Sequence, residues 1–180
     1  MRHKVFVSYH HANDEYYRNR FEDICTRGTD IMVSKSVKIG DINEYLPADT
    51  IRQKIRDEYL RDSTVTVVLI GEETWKRKHI DWEISATIRD TKYNSRGGLI
   101  GILLPSYRDS SYFSDYDKYT IPPRLSDNID CGFAKIYKWN ENPYQIQEWI
   151  HEAFKVRDIK TPDNSFPLFK NNRSGYKWQR

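Results

Sequence analysis

The sequence has few cysteines and no long hydrophobic run, and both shortages restrict what the protein can be. Cys25 and Cys131 are the two cysteines of the 180 residues. Neither has a Cys or His at zinc-ligand spacing, so we expect two buried thiols, no disulfide framework and no metal site. No apolar run approaches the roughly 20 residues that cross a bilayer. A strand-like run begins directly after Met1 and leaves no room for a secretory signal, so we expect a cytoplasmic protein with no membrane partner.

The sequence also lacks a strong excess of either charge. It has 29 Lys and Arg against 26 Asp and Glu, a net charge of +3, and the two signs are interspersed. This composition argues against nucleic acid as the main partner. Basic and aromatic residues alternate over 169–180, a pattern that suits single-stranded nucleic acid. We favour packing and a frayed end for this short segment.

Several common catalytic motifs are missing. No GxxxxGK[ST] phosphate loop is present, and no GxSxG nucleophile elbow. A response-regulator phosphoacceptor site needs acidic residues after the first strand and an Asp at the end of the third. Here these positions hold Ser8-Tyr9-His10-His11 and Ile70-Gly71-Glu72. The adjacent histidines would face opposite ways in a strand, which disfavours a metal site.

Short apolar runs alternate with helical periods along the chain. The segment 65–70 is almost continuously apolar and β-branched, which is typical of a central strand buried on both faces. Alternation of strands and helices with short connections predicts right-handed crossovers and a parallel sheet. The segment 106–131 is predicted as a loop. The predicted strands are 4–9, 31–33, 65–70, 98–104 and 133–137, and the predicted helices are 14–26, 75–90, one capped by Asp49 or Thr50, and one capped by Asn142.

Five such strands suit the flavodoxin-like order 2-1-3-4-5, an α/β three-layer sandwich. We assign residues 1–158 to this domain and residues 159–180 to a C-terminal extension. In such sheets ligands bind beyond the carboxyl ends of the strands, at the switch point beside the first strand. The segments that follow the first three strands are therefore the ones to search for a site.

Two stretches carry a resemblance to a known family. Residues 5–14, VFVSYHHAND, resemble the start of a TIR-like domain. Residues 62–71, DSTVTVVLIG, with TWKR at 74–77 and DWEI at 81–84, resemble the TIR-like subfamily typified by the ThsB proteins of bacterial Thoeris antiphage systems. The resemblance covers about residues 4–104 well and the rest loosely. It implies a flavodoxin-like fold.

The resemblance also implies a function. It implies cleavage of NAD as a substrate, with no cofactor, release of nicotinamide, and an ADP-ribose-derived messenger that is linear or cyclic. A separate effector protein would sense this messenger. TIR enzymes carry an essential Glu on the helix after the third strand, and Glu83 has that position. TIR folds also act as adaptors that associate with like domains, so a non-catalytic interaction module is the alternative.

The helical spacing predicts the surroundings of Glu83. With Ile80, Ile84 and Ile88 toward the sheet, Glu83 falls at the edge of the buried stripe. We expect its carboxylate to be partly hydrated, to face a cleft, and to be kept ionised by the nearby helix N-terminus. Trp82 projects nearly opposite the stripe. Either the C-terminal extension covers it or it belongs to a self-association surface.

Four further residues are candidates for the site. Ser8 could bind a ribose or phosphate, or be a satisfied hydroxyl at the end of a strand. His10 could contact the nucleotide or be a surface residue. Asp14 is expected to cap the first helix or to lie in its first turn. Asp41 lies in the loop after the second strand, where TIR domains place a ligand-gating loop, and it is either substrate-binding or solvated. Together these positions predict a pocket lined by Ser8, His10 and Glu83.

Overall fold

The centre of the molecule is the predicted five-stranded sheet. The structure is a computed structural model that describes residues 2–33, 42–108 and 115–180. The strand order is β2-β1-β3-β4-β5, and every neighbouring pair is parallel. This is the α/β flavodoxin-like arrangement. The strands are β1 (His3–Ser8), β2 (Ile31–Val33), β3 (Val65–Ile70), β4 (Gly98–Leu103) and β5 (Ala134–Lys138).

Helices cover both faces of the sheet. One apolar cluster joins α1 and α5 to the sheet, and two others join α2, α3 and α4 to it. A π-helical turn, Ile55–Tyr59, continues α2, and short 3₁₀ turns span Thr74–Lys76 and Lys118–Thr120. The α-helices are α1 (His11–Thr26), α2 (Ala48–Lys54), α3 (Lys78–Thr87), α4 (Pro123–Asp130) and α5 (Pro143–Ile159).

Strands β3 and β4 are buried along their whole length, which the β-branched run predicts for β3. All six residues of β3 and all six of β4 are buried. A glycine allows α5 to pack directly on β4, because a Cβ at Gly98 would lie 2.4 Å from the carbonyl oxygen of Ala153. The sheet therefore has a close-packed centre, and its strand ends form a rigid base for side chains.

The helix starts were predicted with mixed success. Asn142 caps α5, since its Oδ1 accepts the backbone N–H groups of Tyr144 at 3.0 Å and Gln145 at 3.4 Å. The cap expected at Asp49 or Thr50 is wrong, because α2 already begins at Ala48, after Pro47, with no side-chain cap. The expected start of α3 near residue 75 is also early, since a 3₁₀ turn comes first.

Helix α4 lies in the stretch that the sequence predicts as a loop. Pro123 occupies a favoured first helical position, a signal that was available in the sequence. Most of the helix is polar, yet Arg124 and Asn128 are fully buried. When only the hydrophobicity of its own residues is considered, a polar helix cannot be distinguished from a loop. Its burial comes from a segment about 40 residues later in the chain.

That segment is the C-terminal strap, which we define as residues 160–180. It has no helix or strand and crosses α3 and α4. Phe166, Phe169 and Trp178 pack with Trp75 in a separate apolar cluster. The indole N–H of Trp82 donates to the Phe169 carbonyl oxygen at 2.7 Å. The extension therefore covers Trp82, which was one of the two alternatives for that residue.

The two cysteines differ. Cys25 is buried within the core beneath α1, but Cys131 is exposed in the turn after α4, so the expectation of two buried thiols is wrong for Cys131. Burial raises the pKa of the Cys25 thiol to about 12. In the described ranges no helix is long and apolar enough to cross a membrane.

Candidate functional site

Ser8 and Glu83 meet at the carboxyl end of β1. The Ser8 hydroxyl donates a hydrogen bond to Oε2 of Glu83. Ser8 is the last residue of β1, and Glu83 lies in the middle of α3, which packs over the sheet. Each residue is 1 % exposed. The structure thus brings together two of the predicted site residues, 75 positions apart in the sequence.

Glu83 is more deeply buried than the helical spacing predicts. Every residue from Ile80 to Thr87 is buried, so α3 has no hydrated edge in this stretch. The sheet covers one side of the helix, α2 and α4 flank it, and the C-terminal strap covers the side that carries Trp82. The expectation of a partly hydrated edge position is therefore wrong, because the sequence pattern of one helix does not report what packs around it.

Burial also decides the protonation of Glu83. Loss of hydration raises its pKa to about 8, and the hydrogen bond from Ser8 opposes that rise only in part. An ionised carboxylate loses more hydration energy on burial than a neutral carboxylic acid does. The expected ionised form is therefore wrong, because most Glu83 side chains are neutral at pH 7 in the folded protein.

His10 lies beside this pair as the capping residue of α1. Its Nδ1 accepts the backbone N–H of Asn13 at 3.2 Å, and the side chain is buried. The strand ends at Ser8 and the helix begins at His11. The sequence analysis considered His10 and His11 as strand residues that face opposite ways. In the structure both lie beyond the end of β1. His10 has a local structural role that leaves its Nε2 for other contacts.

An imidazole cluster borders the site and includes His79, which was not predicted from the sequence. The His11 ring centroid lies 4.5 Å from that of Tyr9 and 5.1 Å from that of His79. Nε2 of His79 lies 3.3 Å from the Tyr9 carbonyl oxygen. Burial lowers the pKa of His79 to about 4. Its spacing of four residues before Glu83 was a signal for a shared helix face.

Asp14 is buried in the first turn of α1, one of its two expected places, but the helix begins at His11, three residues before the predicted start. The Ser106 hydroxyl donates to its Oδ1 at 3.1 Å. A Cβ at Gly71 would lie 2.4 Å from Oδ2, so the backbone after β3 passes directly against this carboxyl. Burial raises the pKa of Asp14. The segments after β1, β3 and β4 therefore converge on Asp14.

Asp41 lies outside the described residues, as does the rest of segment 34–41 after β2. Three cavities of about 610, 400 and 560 Å³ are lined by described residues, mainly around the C-terminal strap. Ser8, His10 and Glu83 line none of these three. In the part of the chain that the structure describes, no group of three or more His, Cys, Asp or Glu side chains could hold a metal ion.

Comparison with known proteins agrees with the geometry. The model of the family described as Thoeris protein ThsB, TIR-like domain, matches residues 6–109, more than half of the chain. The matched range includes Ser8, His10 and Glu83. No curated protein matches the chain. The parallel sheet, its strand order and this match together identify the chain as a member of the ThsB TIR-like domain family of Thoeris defence signalling proteins.

Proposed function

We propose that this protein cleaves NAD at the bond between nicotinamide and ribose, and makes an ADP-ribose-derived messenger, linear or cyclic. One observation carries the proposal: Glu83 is a buried carboxyl that meets the Ser8 hydroxyl at the carboxyl end of β1. This edge of a parallel sheet, at the switch point, is where α/β proteins bind nucleotides. Membership of the ThsB TIR-like family supports the proposal.

The reaction needs one carboxylate rather than two. When the glycosidic bond breaks, its electron pair moves to the pyridinium nitrogen, so nicotinamide leaves as a neutral molecule without a proton donor. The ribose keeps a positive charge shared between C1′ and the ring oxygen, and an ionised Glu83 stabilises that charge. Most glycosidases need a second carboxylic acid to protonate the leaving group. Water, or another atom of the same nucleotide, then bonds to C1′ and loses a proton.

The high pKa of Glu83 suits a positively charged substrate. In the folded protein the pKa of about 8 leaves the carboxyl mainly neutral at pH 7. The nicotinamide ring of NAD is cationic, and an opposite charge within a few ångströms favours the ionised carboxylate. The Ser8 hydroxyl also favours the ionised form and orients it. Substrate binding itself therefore charges the group that the reaction needs.

The test is nicotinamide release by the full chain, with NAD, with and without lysate of phage-infected cells, followed by mass spectrometry of the products. We expect the activated wild type to release nicotinamide and Glu83→Gln to be about a hundredfold slower, because the amide carries no charge, a loss of about 3 kcal/mol. Glu58→Gln changes an exposed carboxylate and is the matched control, expected to keep the full rate. Equal rates for Glu83→Gln and the wild type would contradict the catalytic role.

Two partners belong to this proposal. A separate effector protein senses the messenger, and copies of the domain associate through TIR-like surfaces. If the wild type releases no nicotinamide under any trigger but still self-associates, the interaction module replaces the enzyme as the function. Sedimentation of the activated and resting protein, run beside the product assay, separates these two outcomes.

A further inference from the structure

Arg77 is a half-buried cation with no side-chain partner among the described residues, in a segment where its neighbours are paired. Lys76 forms an ion pair with Glu73 at 2.9 Å. Lys78 forms one with Glu44. Within the described ranges no ion pair or side-chain hydrogen bond involves Arg77, and its Nε is buried and unpartnered. Because a guanidinium has five N–H donors and matches phosphate in geometry, Arg77 is available to an anionic ligand.

The charge of Arg77 acts on three neutral imidazoles. Burial is the main cause of the lowered pKa values of His10, His11 and His79, and the positive charge of Arg77 lowers all three further. These groups are therefore mainly neutral at pH 7 and do not compete with Arg77 for an anion. They can still act as hydrogen-bond partners, since a neutral imidazole has one N–H donor and one acceptor nitrogen.

The hydrogen bonds of two histidines determine which nitrogen carries the proton. Nδ1 of His10 accepts the N–H of Asn13, so its proton is on Nε2, which remains as a donor. The Tyr9 carbonyl oxygen can only accept, so His79 donates through Nε2 and keeps Nδ1 as an acceptor. The cluster thus has a guanidinium and an imidazole N–H for an anion, and a nitrogen that can accept from a hydroxyl.

The distance between the imidazole cluster and Glu83 matches the distance between C1′ and the 5′ phosphate of a nucleotide. His79 precedes Glu83 by four residues on the same face of α3, about 6 Å along the helix axis. His10 follows Ser8 by two residues, at most about 7 Å along the chain. The two elements thus place the cluster about one helical turn from the Ser8–Glu83 pair. A ribose ring with its 5′ carbon separates C1′ from the 5′ phosphate by a similar length.

We propose that Arg77 and His10 bind the pyrophosphate of the dinucleotide substrate, and that Nδ1 of His79 accepts a hydrogen bond from a ribose hydroxyl. This inference rests on the proposed function for the identity of the ligand. Hydrogen bonds from a guanidinium to phosphate are charge-assisted and among the stronger ones in proteins. Arg77 and His10 therefore position the substrate so that its C1′ reaches Glu83.

Calorimetric titration of the full chain with ADP-ribose tests the subsite. ADP-ribose contains both riboses and the pyrophosphate but no nicotinamide, so its binding needs no turnover. We expect Arg77→Gln to weaken binding about 10- to 100-fold, the usual effect of losing a hydrogen bond to a charged group. Arg77→Lys should also weaken it, because an ammonium lacks the planar fork. Lys76→Gln removes a neighbouring cation that is already paired and should bind within about twofold of the wild type.

Three results of the titration would overturn the subsite. In the first, the wild type shows no binding of ADP-ribose at millimolar concentration, and in the second, Arg77→Gln binds it as tightly as the wild type. In the third result, Lys76→Gln loses as much affinity as Arg77→Gln. Thermal unfolding of each variant checks that it folds, and Arg77→Lys is the more conservative change if Arg77→Gln does not. Nicotinamide release is measured separately. If ADP-ribose binds through Arg77 but nicotinamide is never released, the proposed function fails while the subsite stands. If nicotinamide is released and Arg77→Gln leaves KM unchanged, the subsite fails while the function stands.

Discussion

Helix α3 contains two buried carboxyl groups only two residues apart, and they have opposite surroundings. Asp81 accepts from Arg124 twice, at 2.9 Å from Nε and 3.3 Å from Nη2, and from the Phe169 N–H at 2.9 Å. Among the described residues, the side-chain carboxyl of Glu83 accepts a hydrogen bond from the Ser8 hydroxyl alone. Asp81 is 2 % exposed and Glu83 1 % exposed, so burial does not distinguish them.

The difference lies in what neutralises each charge. Three N–H donors, two of them cationic, are what an ionised carboxylate needs when it is taken out of water. Asp81 therefore joins α3 to α4 and to the C-terminal strap as a structural ion pair. Glu83 has no such compensation, so its carboxyl is mainly neutral at pH 7 in the folded protein. One helix thus carries a carboxylate that stabilises the fold and another that the fold leaves available.

Breaking the ion pair from the Arg124 side should have the largest effect. Arg124→Met leaves Asp81 as a buried carboxylate without its cation, and removing one partner of a buried pair typically costs about 3–5 kcal/mol. We expect the free energy of unfolding, measured by urea denaturation at pH 7, to fall by that amount. The double variant Asp81→Asn with Arg124→Met should recover part of the loss, because no unpaired charge remains.

The control is the ion pair between the exposed Lys177 of the strap and Asp117, which precedes the 3₁₀ turn Lys118–Thr120. Lys177→Ala should change the unfolding free energy by at most about 0.5 kcal/mol, as for other surface ion pairs. A change of similar size in Arg124→Met would mean that the pair does not hold α3 in place.

Replacing the carboxyl of Glu83 should raise the free energy of unfolding, whereas Arg124→Met should lower it. The pKa of Glu83 is about 8 in the folded protein against 4.5 for an ordinary Glu. Between these values the unfolded chain has lost this proton and the folded chain has kept it, so the wild type loses stability as the pH rises toward 8. Glu83→Gln lacks this loss and should be more stable than the wild type, on the order of 3 kcal/mol at pH 7.

Thermal and urea unfolding of both proteins at several pH values between 4 and 9 measure this difference. It should be small near pH 4, grow as the pH rises, and level off above about pH 8. A constant difference across this range would show that Glu83 titrates normally in the folded protein. If Glu83→Gln is more stable than the wild type and has lost nicotinamide release, then Glu83 lowers the stability of the fold and is required for the reaction.

Among the changes at Arg124, Glu83 and Trp82, we expect the smallest change in the free energy of unfolding at Trp82, where α3 contacts the strap. Trp82→Phe keeps the aromatic packing but removes the N–H that donates to the Phe169 carbonyl oxygen at 2.7 Å. A buried carbonyl left without its donor costs about 1–2 kcal/mol. Urea denaturation measures the loss, which should exceed that of Lys177→Ala. No measurable loss would indicate that Asp81, rather than Trp82, provides the attachment of the strap.

The value of the sequence patterns differed from element to element. The strand 65–70 was predicted without error, because β-branched residues in a continuous apolar run indicate a buried strand locally. Helix α4 was missed, since its polar residues are buried only by contacts such as that of Asn128 with Asp163 at 2.7 Å. Likewise Arg77 belongs to the TWKR stretch but was not predicted as a site residue, because the sequence does not show that Lys76 and Lys78 have ion-pair partners and Arg77 has none among the described residues.

The sequence by itself determined the parallel sheet, its order 2-1-3-4-5 and the placement of Glu83 on the helix after β3. Periodicity and short connections are local properties that indicate a parallel sheet, and five such strands suit this order. Only the tertiary structure decided that Glu83 is buried, mainly neutral and bonded to Ser8, and that Asp81 is paired with Arg124. The reason is physical: the burial and protonation of a side chain depend on what packs against its helix from distant parts of the chain, and a helical repeat contains no information about those neighbours.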